Sequence, residues 1–253
     1  MRAVVVGASS GLGRCLAIGL GRRGARVAAL ARRRDRLVGT ADEIGSGALA
    51  IPCDVTNAAS CRGAIAEAAS GLGGIDALVY APAIGPLARL VDLDAETWRS
   101  AFDTNVIGAA LVTTAALPHL RASGGAAVYL STVGASLTPP WPGLGAYAVS
   151  KAALDKLVEA WRSEHPDVGF TRVVVGDCAG GEGHSAVEFT RDWDPELAAE
   201  LAPTWLDRKL LSGLLLDVEE LVRVVDTVLR CGSGASIPSV TVVPRPPPRP
   251  RDS

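Results

Sequence analysis

Apolar residues fall in short blocks separated by longer stretches of mixed polarity, and the two patterns alternate along the chain. The blocks at residues 3–6, 26–30, 48–51, 77–80, 126–130, 171–175 and 240–243 are rich in Val, Ala and Leu and bordered by Gly, Asp or Pro. Runs of that length predict strands buried on both faces. Between them apolar positions recur at helical spacing. Examples are Leu12, Leu16 and Leu20; Trp98, Phe102, Val106 and Leu111; Leu154, Leu157, Val158 and Trp161; and Leu221, Val224, Val225 and Val228. Such recurrence gives each helix one apolar stripe. Strands separated by helices cannot pair as tight hairpins, so the pattern predicts an α/β protein: a doubly wound, seven-stranded parallel sheet with helices on both faces.

No linker and no internal repeat interrupts this alternation, which predicts a single domain over residues 1–243. Two stretches depart from it. Residues 179–216 are long, Gly-rich at the start, and carry Phe189, Trp193 and Trp205, as expected of a substrate loop or lid. Residues 244–253 hold five Pro and three Arg, which predicts a disordered, extended tail.

Composition narrows the function classes. The 253 residues are 48% hydrophobic and 21% charged, which predicts a folded core rather than a disordered chain. A formal charge of −2 provides no basic field for nucleic acid or an anionic membrane, and 4% aromatic residues leave little for a base-stacking platform. The five cysteines (Cys15, Cys53, Cys61, Cys178 and Cys231) form no C-x-x-C pair, so reduced thiols are expected and a metal site is not. The first apolar run starts almost at Met1, and no run approaches eighteen apolar residues without Gly, Pro or charge. No leader, no spanning helix and a cytoplasmic location are therefore expected.

The chemistry begins at Gly7-Ala8-Ser9-Ser10-Gly11-Leu12-Gly13, directly after the first strand and opening the first helix. Glycines there permit a tight turn and let backbone N–H groups approach a pyrophosphate, the signature of a Rossmann-type dinucleotide site. The same residues read G-x-S-x-G, but a nucleophile elbow at Ser9 would follow several strands, and none of His119, His165 or His184 is marked as its base. The second strand ends in Ala31-Arg32-Arg33-Arg34, where a free ribose 2′-hydroxyl would ask for an acid. Arg32 and Arg33 suit a 2′-phosphate instead, so NADP(H) is favoured over NAD(H). Asp54 and Val55, after the third strand, reach toward an adenine or cap the next helix.

Tyr147-Ala148-Val149-Ser150-Lys151 puts a phenol and an ammonium four residues apart on one helical face. Together with the glycine turn upstream, this chain resembles the short-chain dehydrogenase/reductase family over about residues 3–175. The resemblance implies an oxidoreductase acting on a ketone or secondary alcohol. Tyr147 would be the proton donor or acceptor and Lys151 its electrostatic partner and a ribose ligand. Asn105 would anchor a water of the proton relay. It also implies a homodimer or homotetramer, with which the Ala109-Ala110-Leu111-Val112 run is compatible.

The likeness departs from the family in several places. Where the family has a substrate-orienting Ser, this chain has Leu130-Ser131-Thr132, so Thr132 takes that role with Ser131 in reserve. The spacer to Tyr147 is longer and holds Pro139-Pro140-Trp141-Pro142, expected to wall the pocket. Tyr80-Ala81-Pro82-Ala83 replaces an Asn-Asn-Ala-Gly segment, leaving Ala81 as the expected cofactor contact there. Gly176-Asp177-Cys178-Ala179-Gly180-Gly181 replaces a Pro-Gly loop. The altered segments give a second reading its basis: an NADP(H)-binding regulator or sensor that no longer catalyses.

Overall fold

The computed structural model describes residues 1–45, 47–180, 188–211, 213–231 and 234–245. His184, Gly181 and most of the Pro/Arg-rich tail therefore lie outside the described residues.

Seven parallel strands form one sheet: β1 (Arg2–Val6), β2 (Arg26–Ala31), β3 (Leu49–Pro52), β4 (Ala77–Tyr80), β5 (Ala126–Thr132), β6 (Gly169–Val175) and β7 (Ser239–Val242). Their order across the sheet is β3-β2-β1-β4-β5-β6-β7, the doubly wound arrangement the alternation predicts. Register is set by period-two burial. Val4 and Val6 join a core layer with Ile65, Val112 and Leu154, while Ala3 and Val5 join the opposite layer with Leu16, Leu221 and Val225. A one-residue slip of β1 would exchange the two layers. The chain leaves β1 toward β2 and later returns to its other side as β4, which opens a crevice at the strands' carboxyl ends.

Helices α1 (Gly11–Arg22) and α2 (Arg34–Ile44) follow β1 and β2, and α3 (Ala58–Leu72) follows β3. Asn57 caps α3 by accepting from the Ser60 N–H at 2.9 Å, so the capping role open to Asp54 falls to another residue. Between β4 and β5 the chain forms one helix, Ala95–Ser123, composed of α4 (Ala95–Phe102), a π-helical turn (Asp103–Ile107) and α5 (Gly108–Ser123). The helix has 29 residues, and an 18-residue stretch of it has a mean hydropathy of 1.2, long and apolar enough to cross a bilayer, which the run lengths did not foresee. Here it packs against α3, β4 and the helix Gly145–Glu164 instead.

The π turn has a use. The Tyr80 hydroxyl donates to the Thr104 carbonyl at 2.5 Å, and Gly108 leaves room for it, since a Cβ there would lie 2.6 Å from that oxygen. Tyr80 is fully buried on this side and does not line the cleft. Its bulk, unexpected where the family has Asn, supports the turn that carries Asn105.

After β5 come the short α6 (Val133–Ser136) and α7 (Gly145–Glu164). The 179–216 stretch is not all loop: α8 (Pro195–Asp207) starts on Pro195, with Asp194 accepting from the Glu196 N–H. It buries Leu201 and Trp205. Finally, α9 (Val218–Leu229) packs on α1, and Asp217 caps it.

Candidate active site

The glycine turn is held by its neighbours. Gly7 adopts φ +82°, a left-handed conformation that L side chains rarely take, and its N–H donates to the Leu30 carbonyl at 2.8 Å. A Cβ on Gly13 would sit 2.3 Å from the Gly7 carbonyl oxygen, so strand and helix meet only because that residue has no side chain. Ser10 precedes α1 without capping it, which leaves the helix's first N–H groups to the cleft. Above the turn lies a cleft of about 700 Å³, lined among others by Gly7, Ser9, Ser10, Gly11, Leu12, Gly13, Ala81, Thr132, Tyr147 and Lys151. These residues fit a dinucleotide: a small-residue cradle at a helix start, opening along the crevice toward a phenol and an amine.

At the far end the sequence pointed first to Arg32. Its side chain lines the cleft but is exposed, and its charge helps to hold Asp54 below the ordinary carboxylate range. The main cause of that depression is local: Asp54 accepts from the Thr56 N–H at 3.0 Å and its hydroxyl at 2.8 Å. Val55 and Cys53 are buried beside it. Arg33 is the more engaged guanidinium. It donates to the Ser9 hydroxyl at 3.0 Å and the Ser10 hydroxyl at 2.7 Å, and pairs with Glu188. Arg36, one turn along α2, pairs with Glu188 as well.

At the other end, Tyr147 and Lys151 stand on the first turns of α7. Lys151 is 2% exposed and donates to the Leu130 carbonyl at 2.8 Å, with its nitrogen 6.0 Å from the Tyr147 ring centre. Burial pulls this ammonium down to about 8, against an upward pull from Asp155. Burial pushes the Tyr147 phenol up to about 12, opposed by the Thr132 side chain. Thr132 is therefore the hydroxyl at the phenol. Ser131, its reserve, is buried and faces Asp155 on α7 instead.

Asn105 is fully buried in the π turn. It accepts from the Ile84 N–H and donates to the Ile84 carbonyl, both at 2.9 Å, and donates to Ser150 at 2.8 Å. Its amide thus ties the loop after β4 to α7. Phe189 packs edge-on against the Tyr147 ring with centres 4.8 Å apart, and Trp193 donates to the Gly85 carbonyl at 2.8 Å. Trp205 is a buried prop rather than a pocket wall: its indole donates to Pro142 at 2.9 Å and its ring lies beside Trp141. Cys178 lines the cleft, but burial raises its thiol to about 12, which makes it a poor nucleophile.

Residues 1–185 match the family model of the short chain dehydrogenases. The chain belongs to that family. Among curated relatives, this chain is 35% identical over 179 residues to an 11-beta-hydroxysteroid dehydrogenase-like protein of Arabidopsis thaliana, covering 68% of this chain and 58% of the relative. It is 33% identical over 201 residues to an 11-beta-hydroxysteroid dehydrogenase of Sesamum indicum, covering 76% and 57%. The match thus spans less than two thirds of these relatives' length. Among solved structures, a short-chain type dehydrogenase/reductase from Mycobacterium marinum superposes with a TM-score of 0.81 at 28% identity, covering 96% of this chain and 93% of the other.

Sequence reasoning missed Arg36 and Glu188. Arg36 carried a signal, since it lies three residues past Arg33 on the same helical face. Glu188 carried none.

Proposed function

We propose that this protein is an NADP(H)-dependent oxidoreductase that interconverts a ketone and a secondary alcohol, with Tyr147 handling the proton. One observation carries the reading: the phenol and the buried ammonium share one cleft with the glycine turn and the guanidinium cluster. Gly7 to Gly13 would hold the cofactor's pyrophosphate, Arg33 with Ser9 and Ser10 its 2′-phosphate, and Lys151 the nicotinamide ribose. When bound, the nicotinamide supplies or accepts the hydride. The chain's own work is the proton: Thr132 orients the carbonyl oxygen, and Tyr147 donates to it. The charge that then develops on the phenol is met by the Lys151 ammonium. Phe189, backed by Trp193, offers an apolar wall, which suits a largely apolar substrate. The test is to titrate NADPH and NADH by fluorescence and then screen a panel of carbonyl compounds. Tight NADPH binding without turnover on any of them would replace this reading with that of a non-catalytic binding protein.

Two expected results follow from the geometry. Arg33→Ala should weaken NADPH by about 1.5–3 kcal/mol, the value of charge-assisted contacts, and leave NADH nearly unchanged. Equal loss for both cofactors would remove the 2′-phosphate assignment. The second concerns pH. Reduction needs the phenol protonated, which holds to about 12, and the ammonium charged, which holds only below about 8. The kcat/KM for carbonyl reduction should therefore stay level on the acid side and fall as pH rises through about 8. A rate that climbs through that point would contradict the role of Lys151.

A further inference from the structure

The Glu188 carboxylate lies where three guanidiniums converge. Its Oε2 pairs with Arg33 and stands 3.6 Å from Arg191, while its Oε1 pairs with Arg36. Arg33 also donates to Ser9 and Ser10, the hydroxyls of the glycine turn. Thus one anion from the far side of the cleft is fastened to cations that border the cofactor cradle. The cluster needs an anion. Arg33 and Arg36 are each pulled below the ordinary guanidinium range, first by desolvation and then by neighbouring cations.

The carboxylate is also held in position rather than merely near. Phe189, the next residue, packs on Tyr147 and leaves no room for a side chain at Gly85. Trp193, four residues further, is bonded to the Gly85 carbonyl. The segment is pinned across the cleft, and Glu188 is its charged end.

We propose that Glu188 determines cofactor discrimination by competing with a nucleotide 2′-phosphate for Arg33 and Arg36. This rests on the NADP(H) reading above. A phosphate monoester brings a charge of about −1.5 to −2 and three acceptor oxygens, against one charge and two oxygens for the carboxylate, so it can displace Glu188. A nucleotide without that phosphate leaves the Glu188 pairs in place and bears no cost for breaking them. The carboxylate therefore narrows the preference that the arginines alone would impose.

The test uses 2′,5′-ADP and 5′-ADP, which differ in the 2′-phosphate and lack the nicotinamide, with binding measured by calorimetry. Glu188→Gln keeps the size and removes the charge. It should tighten 2′,5′-ADP about fivefold, the value of a partly exposed ion pair, and leave 5′-ADP unchanged. Glu188→Ala should act in the same direction. Weaker binding of 2′,5′-ADP in both variants would mean that the carboxylate orders the arginines rather than competing, and would overturn the proposal. So would an unchanged ratio in variants whose parent already prefers 2′,5′-ADP. If parent and variants alike bind the two nucleotides equally, the NADP(H) reading fails, and the competition with it.

Discussion

Replacing Tyr147 with Phe is expected to lower carbonyl reduction by about 10²- to 10⁴-fold, with NADPH binding nearly intact. A positioned proton donor contributes that much to a rate, about 3–5 kcal/mol of barrier. The substitution removes one oxygen and keeps the ring, so the edge-on packing against Phe189 survives and the pocket wall stays in place. The glycine turn is untouched, because it stands on contacts with Leu30 and Pro82 rather than on Tyr147. The loss should appear in kcat, with little change in NADPH affinity. Equal turnover by Tyr147→Phe would end the proposed mechanism, since the described cleft offers no other phenol: Tyr80 and Tyr129 are fully buried and do not line it. Direct monitoring of NADPH consumption, with binding measured on the same samples, separates the two effects.

How far the chain could be read without coordinates depended on how local each signal was. The strands were legible because a parallel sheet covered on both faces makes its strands near-continuous apolar runs, as in β4 and in β1 after Arg2. Helix α8 was not. Only Leu201 and Trp205 are buried, Pro203 sits inside it, and it rests on the distant Trp141–Gly143 segment. The glycine turn and the Tyr147–Lys151 pair were legible because each fits within a few residues of one element. Which hydroxyl faces the phenol, Thr132 or Ser131, depended on where β5 ends and α6 begins. The Arg36–Glu188 pair spans 152 positions, and no periodicity reports a contact of that kind. Tyr80 shows the converse. It looked like a disturbance of the cofactor loop, but its hydroxyl is absorbed by a π turn that nothing in the sequence announced.

Gly13→Ala is expected to be the most damaging single-methyl change in the chain's cofactor end. The added Cβ would lie 2.3 Å from the Gly7 carbonyl oxygen and 2.8 Å from its carbon, both backbone atoms that no rotamer can move. Relief requires α1 to shift away from β1, and its first N–H groups would move off the position that faces a pyrophosphate. Overpacking of this kind costs about 1–3 kcal/mol, and a backbone obstacle belongs at the upper end. At about 3 kcal/mol, NADPH binding should weaken roughly 100-fold. Gly11→Ala is the informative control. Gly11 has φ +53°, but a Cβ there meets nothing within 4 Å, so only the conformational penalty of about 1–2 kcal/mol applies. Titration of NADPH into both variants should rank Gly13→Ala well below Gly11→Ala. The reverse order would mean that the close approach of strand and helix does not hold the phosphate cradle, and that the left-handed conformation at Gly11 does.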